Sequence, residues 1–185
     1  EGNAEYHYKS GSMNFRLGEY PNARQRLLKA LALNPKLDDA LFMLGQVRMT
    51  QASAKDIAIF KEAAGHFAKA VQLKPDNGDY RKQWAEALYK AGDFAAAIPI
   101  YRQYLDKNSK DLEARTNLGK ALLQIKQPQL AIVEFDIVFK ARPQLIEDDY
   151  AIGSLYYDAK RYPEAKRIYM AVLRTRPDNA ECQER

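Results

Sequence analysis

The sequence lacks most of what catalytic, metal-binding or membrane-spanning chemistry requires. Its one cysteine, Cys182, has no second thiol for a disulfide and no neighbours at metal-ligand spacing. Its two histidines, His7 and His66, fall in different predicted helices, and His66 is expected on a helix surface. No glycine-rich phosphate loop, nucleophile elbow or zinc motif accompanies them. An enzyme active site, a metal, a cofactor and a small-molecule substrate are therefore not expected. No run of 18 apolar residues occurs, so no transmembrane helix is expected, and no signal peptide is visible. Neither sign of charge dominates, since 29 Lys and Arg stand against 24 Asp and Glu. Basic residues do gather, as Arg24, Arg26 and Lys29 near the start and Lys166, Arg167, Arg174 and Arg176 near the end. Acidic residues are interspersed among them and no aromatic-basic motif for single strands is present, so nucleic acid is not the expected partner.

What is present is repetition. Residues 19–35 (EYPNARQRLLKALALNP) and 161–177 (RYPEAKRIYMAVLRTRP) share Tyr, Pro, Ala, Leu and a closing Pro at identical offsets. Apolar residues follow the Tyr-Pro at helical spacing, as in Ala165, Ile168, Tyr169, Val172 and Leu173, which predicts a helix with one buried face. Proline suits the first position of such a helix, where its missing N–H is no loss. The two copies stand 142 residues apart, which four periods of about 34 residues accommodate with a surplus of six. Units then run over 4–37, 38–77 with the six-residue insertion, 78–111, 112–145 and 146–179. Position 8 of each unit holds Gly11, Gly45, Ala85, Gly119 and Gly153; position 20 holds Ala23, Ala63, Ala97, Ala131 and Ala165. Position 24 is large in every unit, as Leu27, Phe67, Tyr101, Phe135 and Tyr169, and position 32 is Pro35, Pro75, Ser109, Pro143 and Pro177.

Small residues at two positions let paired helices approach, and the large residue fills the space beside them. Proline at position 32 ends the second helix. This pattern resembles the tetratricopeptide repeat (TPR) family, whose signature is the small residue at 8, Ala at 20, an aromatic at 24 and Pro at 32. The resemblance covers nearly the whole chain and implies an all-α, right-handed superhelical solenoid of helix-turn-helix repeats, read as a single domain over 1–185. Its 46% hydrophobic content would then form a long thin core shared between neighbouring repeats. Position 4, tryptophan in the family's pattern, is His7, Leu41, Arg81, Arg115 and Asp149. Position 27, ideally alanine, is Tyr104, Val138 and Val172 in the later units, where looser spacing is expected. Pro99 lies inside a predicted second helix and predicts a kink or a late helix start there.

The resemblance further implies that positions 2, 5, 6, 9, 12 and 13 of the first helices form a stripe lining a concave groove. Positions 5 and 12 supply Tyr8, Phe15, Phe42, Met49, Tyr89, Tyr150 and Tyr157; Gln46, Lys82, Asn117, Lys120 and Ser154 add polar groups. Aromatic rings with hydrogen-bonding edges suit an extended peptide or an amphipathic helix, while packing between neighbouring first helices remains the alternative use for them. Position 2 is acidic throughout, as Glu5, Asp39, Asp79, Glu113 and Glu147, which the helix dipole favours and a basic partner could also read. TPR cochaperones grip acidic chaperone tails with a two-carboxylate clamp. Lys82 and Asn117 match two of its places, but Glu86, Glu147 and Ala151 occupy the other three, and Glu147 would repel such a tail.

The expected function is a non-enzymatic protein-protein interaction scaffold or adaptor that binds a peptide or helix of a partner protein. The alternatives are a lipoprotein-like assembly factor of a bacterial cell-envelope pilus or secretion complex, or the substrate-recruiting arm of a larger enzyme. The chain opens at Glu1 without methionine, and residues 180–185 read as the start of a truncated capping or further helix. A fragment of a longer protein is expected on that basis, with self-association through an uncapped C-terminal end as the alternative. Compartment is not fixed by the sequence; cytoplasmic is the default, with the periplasm or cell envelope also open. The insertion within 50–60 (TQASAKDIAIF) carries three Ala and a Lys, which favour helix, and is expected to lengthen both helices of its unit more than to form a loop.

Overall fold

The computed structural model describes residues 2–146 and 149–178. Among them are ten α-helices: α1 (Ala4–Arg16), α2 (Tyr20–Leu33), α3 (Asp38–Gln51), α4 (Ile57–Leu73), α5 (Gly78–Lys90), α6 (Phe94–Lys107), α7 (Leu112–Gln124), α8 (Pro128–Ala141), α9 (Tyr150–Asp158) and α10 (Tyr162–Thr175). A 3-10 turn spans Pro143–Leu145, and no strand occurs among the described residues. The helices make an all-α repeat solenoid built from five antiparallel pairs. They group into two compact units, residues 1–107 with α1 to α6 and residues 108–185 with α7 to α10. Glu147 and Cys182 lie outside the described residues, as does the expected start of a further helix at 180–185.

The two helices of each pair begin by different chemistry. Four of the five first helices are capped by a side chain: Asn3, Asn77, Asp111 and Asp149 accept from the backbone N–H of Glu5, Tyr80, Ala114 and Ala151 at 2.8–3.2 Å. Second helices α2, α8 and α10 instead start with Pro21, Pro128 and Pro163 in the first turn. The tight connections need a left-handed residue at position 15. Gly18 and Gly92 supply it at φ 77° and 75°, while Lys126 and Lys160 adopt it at φ 59° and 60°.

Small-against-large packing holds each pair together. A Cβ added at Gly45 would lie 2.6 Å from Cε1 of Phe67, at Gly119 2.6 Å from Cε1 of Phe135, and at Gly153 2.7 Å from Cε1 of Tyr169. Position 8 is therefore small because the position-24 ring occupies the space a side chain would need. In the first unit the core is a series of small clusters. Ala23, Leu27 and Ala30 of α2 pack with Ala40, Leu44 and Val47 of α3, and Ala63, Ala64 and Phe67 of α4 pack with Ala87 of α5.

Four expectations meet a different or sharper outcome. The helix containing Pro99 does not start late: α6 begins at Phe94 and carries the proline inside it. The carbonyl of Ala95 loses its usual helical donor, but Pro99 is exposed, so water can replace that hydrogen bond. The six inserted residues lengthen both helices and also the connection. Measured against the first hairpin, α3 is 14 residues long where α1 has 13, and α4 is 17 long where α2 has 14. The remaining two extra residues fall in the connection at 52–56, where the Ser53 amide and hydroxyl both donate to Asp56. His66 is not a plain surface residue: its side chain is 19% exposed and its Nε2 lies 3.8 Å from Glu62. Burial holds its imidazole below the ordinary pKa range. The fifth repeat's first helix begins at Tyr150 instead of near Ile146, because Asp149 at position 4 serves as its N-cap.

In the third and fourth repeats arginine stands at the family's position-4 tryptophan and reaches back to the preceding repeat. Arg81 donates to the carbonyl of Pro75, and Arg115 donates to the carbonyl of Ser109 at 3.0 Å and to Glu134 at 2.6 Å. Both carbonyls belong to position 32 of the preceding repeat. The guanidinium thus ties a helix start to the end of the helix before it, a role that hydrogen bonds fill in place of ring packing.

Candidate functional site

The stripe residues are placed by the first helices of each pair, and each compact unit carries its own set. In the first unit, Tyr8 of α1 is half-buried against the cluster formed by α2 and α3. Burial, with Asp39, Glu5 and Asp38 nearby, raises its phenol pKa. Phe15 packs on Tyr20 with ring centroids 5.7 Å apart. Phe42 of α3 stacks on Tyr80 at 4.5 Å and tilts against Phe67 at 5.5 Å, so it joins α3, α4 and α5. Met49 packs on the Ala63, Phe67 and Ala87 cluster, and Gln46 and Lys82 are half-buried beside these rings in sequence. Tyr89 meets Phe94 edge-on at 5.3 Å.

In the second unit, Asn117 and Lys120 project from α7, and the Lys120 ammonium lies 2.8 Å from the Asp149 carboxylate. Tyr150 stacks on Tyr169 at 5.5 Å with 29° between the planes, and Tyr157 meets Tyr162 edge-on at 5.4 Å. Ser154 is half-buried between them in sequence. Tyr157 is 38% exposed, and Tyr162 and Met170 are more exposed still. Together with Ala165, Lys166, Tyr169 and Leu173 these three line a concavity of about 560 Å³. Positions 20 and 24 of this hairpin, Ala165 and Tyr169, are the counterparts of Ala23 and Leu27, which in the first hairpin lie under α3.

Ring pairing explains what position 12 does and what the stripe omitted. Phe15, Tyr89 and Tyr157 each pack on the residue at position 17 of the same repeat, namely Tyr20, Phe94 and Tyr162. Position 17 is aromatic in four repeats, Phe60 being the fourth, and that recurrence was a signal available in the sequence. Where the connection is lengthened, Ala52 and Ala54 join Phe60, Tyr89, Lys90 and Phe94 around a concavity of about 370 Å³. The Lys90 ammonium lies 5.7 Å from the centre of the Phe60 ring.

Charged groups near the stripe are mostly engaged within their own unit. Tyr80 donates to Asp38 at 2.8 Å and to Asp39 at 2.5 Å, and Lys74 pairs with Asp38 at 2.7 Å. Burial and the two carboxylates raise the Tyr80 pKa. Burial opposes ionisation of Asp38, but the hydrogen bonds from Lys74 and Tyr80 prevail and its pKa is lowered. In the second unit Arg161 pairs with Asp136 at 2.6 Å and with Glu164 at 2.5 Å, and its guanidinium lies 4.8 Å over the Tyr156 ring. Of the acidic position-2 residues, Glu5 pairs with Lys9 at 3.5 Å, Asp39 accepts from Tyr80, and Asp79 and Glu113 are exposed. Among the described residues no group of three or more His, Cys, Asp or Glu is placed to hold a metal ion. Among them, too, no helix is long and apolar enough to cross a membrane.

Comparison with known proteins follows this architecture closely. A family model described as tetratricopeptide repeat matches residues 8–79 and 82–144, and a second model of the same description matches 150–179. The DnaJ protein P58IPK homolog A of Oryza sativa subsp. japonica is 25% identical over 67% of this chain and 29% of its own length. The probable UDP-N-acetylglucosamine–peptide N-acetylglucosaminyltransferase SPINDLY of Solanum lycopersicum is 31% identical over 54% of this chain and 11% of its own length. The chain thus spans less than a third of either relative. Among solved structures, YrrB, described as a TPR protein with an unusual peptide-binding site, superposes with a TM-score of 0.79 at 22% identity, covering 99% of this chain and 91% of YrrB. MamA gives a TM-score of 0.77 at 20% identity, covering 96% and 94%.

Proposed function

Since the chain belongs to the tetratricopeptide repeat family, we propose that it is a non-enzymatic scaffold whose first-helix stripe takes a peptide or helix from a partner protein. The observation that carries this reading is the tyrosine group of the last hairpin. Tyr157 of the stripe is 38% exposed and lines a concavity otherwise formed by α10 residues, among them Tyr162, Lys166 and Tyr169, while Tyr150 stacks on Tyr169. Tyrosine gives large contact area at low entropic cost and a hydroxyl for the wet edge. In the first unit Lys82 and Gln46, and in the second Asn117, Lys120 and Ser154, would hold backbone or carboxylate groups of a segment bound to that unit.

A pull-down with the wild-type chain and the Tyr150→Ala/Tyr157→Ala variant, at low and high salt, tests the proposal. A protein retained at high salt and lost in the variant is the expected result. Equal capture by both proteins would place the site elsewhere, and salt-sensitive nucleic acid held equally by both would move the function to the basic second helices. A second reading, the substrate-recruiting arm of a larger enzyme, is favoured by the match to one segment of a glycosyltransferase. It predicts that the captured protein is a substrate of a catalytic domain joined to these repeats.

A further inference from the structure

Helix α8 presents an aliphatic stripe that the other second helices do not have. Leu130, Val133 and Ile137 follow one another at helical spacing and are 46%, 56% and 41% exposed. They occupy repeat positions 19, 22 and 26. At the twelve equivalent positions of the other four second helices stand only polar residues, alanine, glycine or proline, such as Asn22, Gln25 and Lys29 in α2. The repeat scaffold therefore does not need large aliphatic side chains there, and five copies of one fold act as the control. Exposing three of them on one helix face costs solubility without contributing to the core, which marks an interaction surface.

The charges around this stripe select its occupant. Both carboxylates of α8 are engaged internally, Glu134 with Arg115 at 2.6 Å and Asp136 with Arg161 at 2.6 Å. What remains exposed is cationic: Lys140 continues the same stripe one turn beyond Ile137, and Lys126 stands in the turn that leads into the helix. We infer that this face of α8 binds an amphipathic helix of a partner protein whose leucine or isoleucine face is flanked by acidic residues. A second copy fits poorly, because pairing two α8 stripes in either direction sets lysine against lysine.

Fluorescence anisotropy with three labelled synthetic helices tests this, all sharing one Leu/Ile face and differing in flanks of Glu, Gln or Lys. The Glu-flanked helix is expected to bind the full chain at least tenfold more tightly than the other two and to weaken as salt rises. Val133→Asp/Ile137→Asp should weaken it more than tenfold. Leu130→Gln/Val133→Gln/Ile137→Gln, which adds no charge, should do the same while circular dichroism and Tm confirm an intact fold. Lys126→Glu/Lys140→Glu should reverse the preference toward the Lys-flanked helix. Tyr150→Ala/Tyr157→Ala should leave this binding unchanged, which separates it from the stripe on the first helices. No saturable binding, no preference among the three flanks, or equal binding by the variants would overturn the inference. It would also fall to an α8-dependent dimer in sedimentation velocity, or to α8-dependent binding of anionic vesicles in place of the Glu-flanked helix.

Discussion

A methyl group added at Gly119 measures directly whether close approach of paired helices sets the repeat pattern. Its Cβ would lie 2.6, 2.8 and 3.0 Å from Cε1, Cζ and Cδ1 of Phe135, where carbon atoms ordinarily pack at about 3.5–4.0 Å. The ring must retreat by about 1 Å, and Phe135 is fully buried, so it has nowhere to go without disturbing its neighbours. Overpacking of this kind costs about 1–3 kcal/mol. Against it stands a gain of about 1 kcal/mol for alanine over glycine inside a helix. Gly119→Ala should therefore be destabilising by up to about 2 kcal/mol. A leucine would not clear the space, since a Cβ at Gly11 would still lie 2.9 Å from Cγ of Leu27, but in a Phe135→Ala background the obstruction is gone and the same substitution should stabilise by about 1 kcal/mol. Gly65→Ala supplies the control, because Gly65 is exposed inside α4 and its Cβ would meet nothing within 4 Å. It should show the propensity gain alone. Urea melts of the four-member cycle give the coupling, expected at about 1–3 kcal/mol. Equal effects of Gly119→Ala in both backgrounds would refute the packing argument. The third repeat shows that a methyl is not forbidden in principle, since it holds Ala85 with Tyr101, both fully buried. The cost at Gly119 is that of forcing a methyl into a pair assembled without one.

Further outcomes follow from the same structure. Lys160→Gly relieves a left-handed lysine at φ 60° and should stabilise by about 1 kcal/mol, read as a higher Tm; no rise would mean the turn carries no strain. Tyr80→Phe removes a hydroxyl that donates to both Asp38 and Asp39, and should cost about 1–3 kcal/mol at pH 7. Because the Asp38 pKa is lowered in the folded chain, its contribution is present above the unfolded value near ~4 and is lost as pH falls through the folded value. The variant should accordingly show a shallower loss of stability below about pH 4 in urea melts, and an unchanged acid limb would contradict the network. For His66, burial lowers the folded pKa, so stability should fall as pH drops below the unfolded value near ~6.5, and His66→Gln should flatten that limb.

The repeat and its helices were legible because packing writes them at fixed positions. A small residue faces a large one wherever paired helices touch, and proline follows four of the five second helices, so four positions carry the register without any alignment. Other features leave no such mark. Lys126 and Lys160 occupy a left-handed turn position that glycine announces elsewhere and lysine does not. Tyr80 reaches Asp38 and Asp39 across about forty residues, a contact that only the stacking of α3 and α5 creates. The late start of α9 depends on Asp149 acting as a cap, which the family register places inside the helix. The stripe itself was readable as a set of residues, but its ring partners were not, because position 17 belongs to the second helix and the stripe to the first.

That pairing changes what an alanine variant of the tyrosine stripe can report. Tyr157 packs on Tyr162 at 5.4 Å, as Phe15 packs on Tyr20 and Tyr89 on Phe94, so Tyr157→Ala removes a hairpin contact and a proposed binding surface at once. A stability effect and a binding effect would then arrive together. Tyr150→Phe/Tyr157→Phe separates them, because it keeps both ring contacts and removes only the hydroxyls. If the hydroxyls hold the partner's backbone, this variant should keep the wild-type Tm and lose about 0.5–1.5 kcal/mol of binding, the net worth of a neutral hydrogen bond. If the rings supply contact area alone, it should bind as the wild type does while the alanine pair binds more weakly. Tyr162→Ala completes the set. It opens the same hairpin contact without touching the first helix, so a Tm loss matching Tyr157→Ala with binding retained would assign Tyr162 to the scaffold and Tyr157 to recognition. Loss of binding in step with Tm across all three would instead make the tyrosine group a purely structural closure and refute the proposed site in this hairpin.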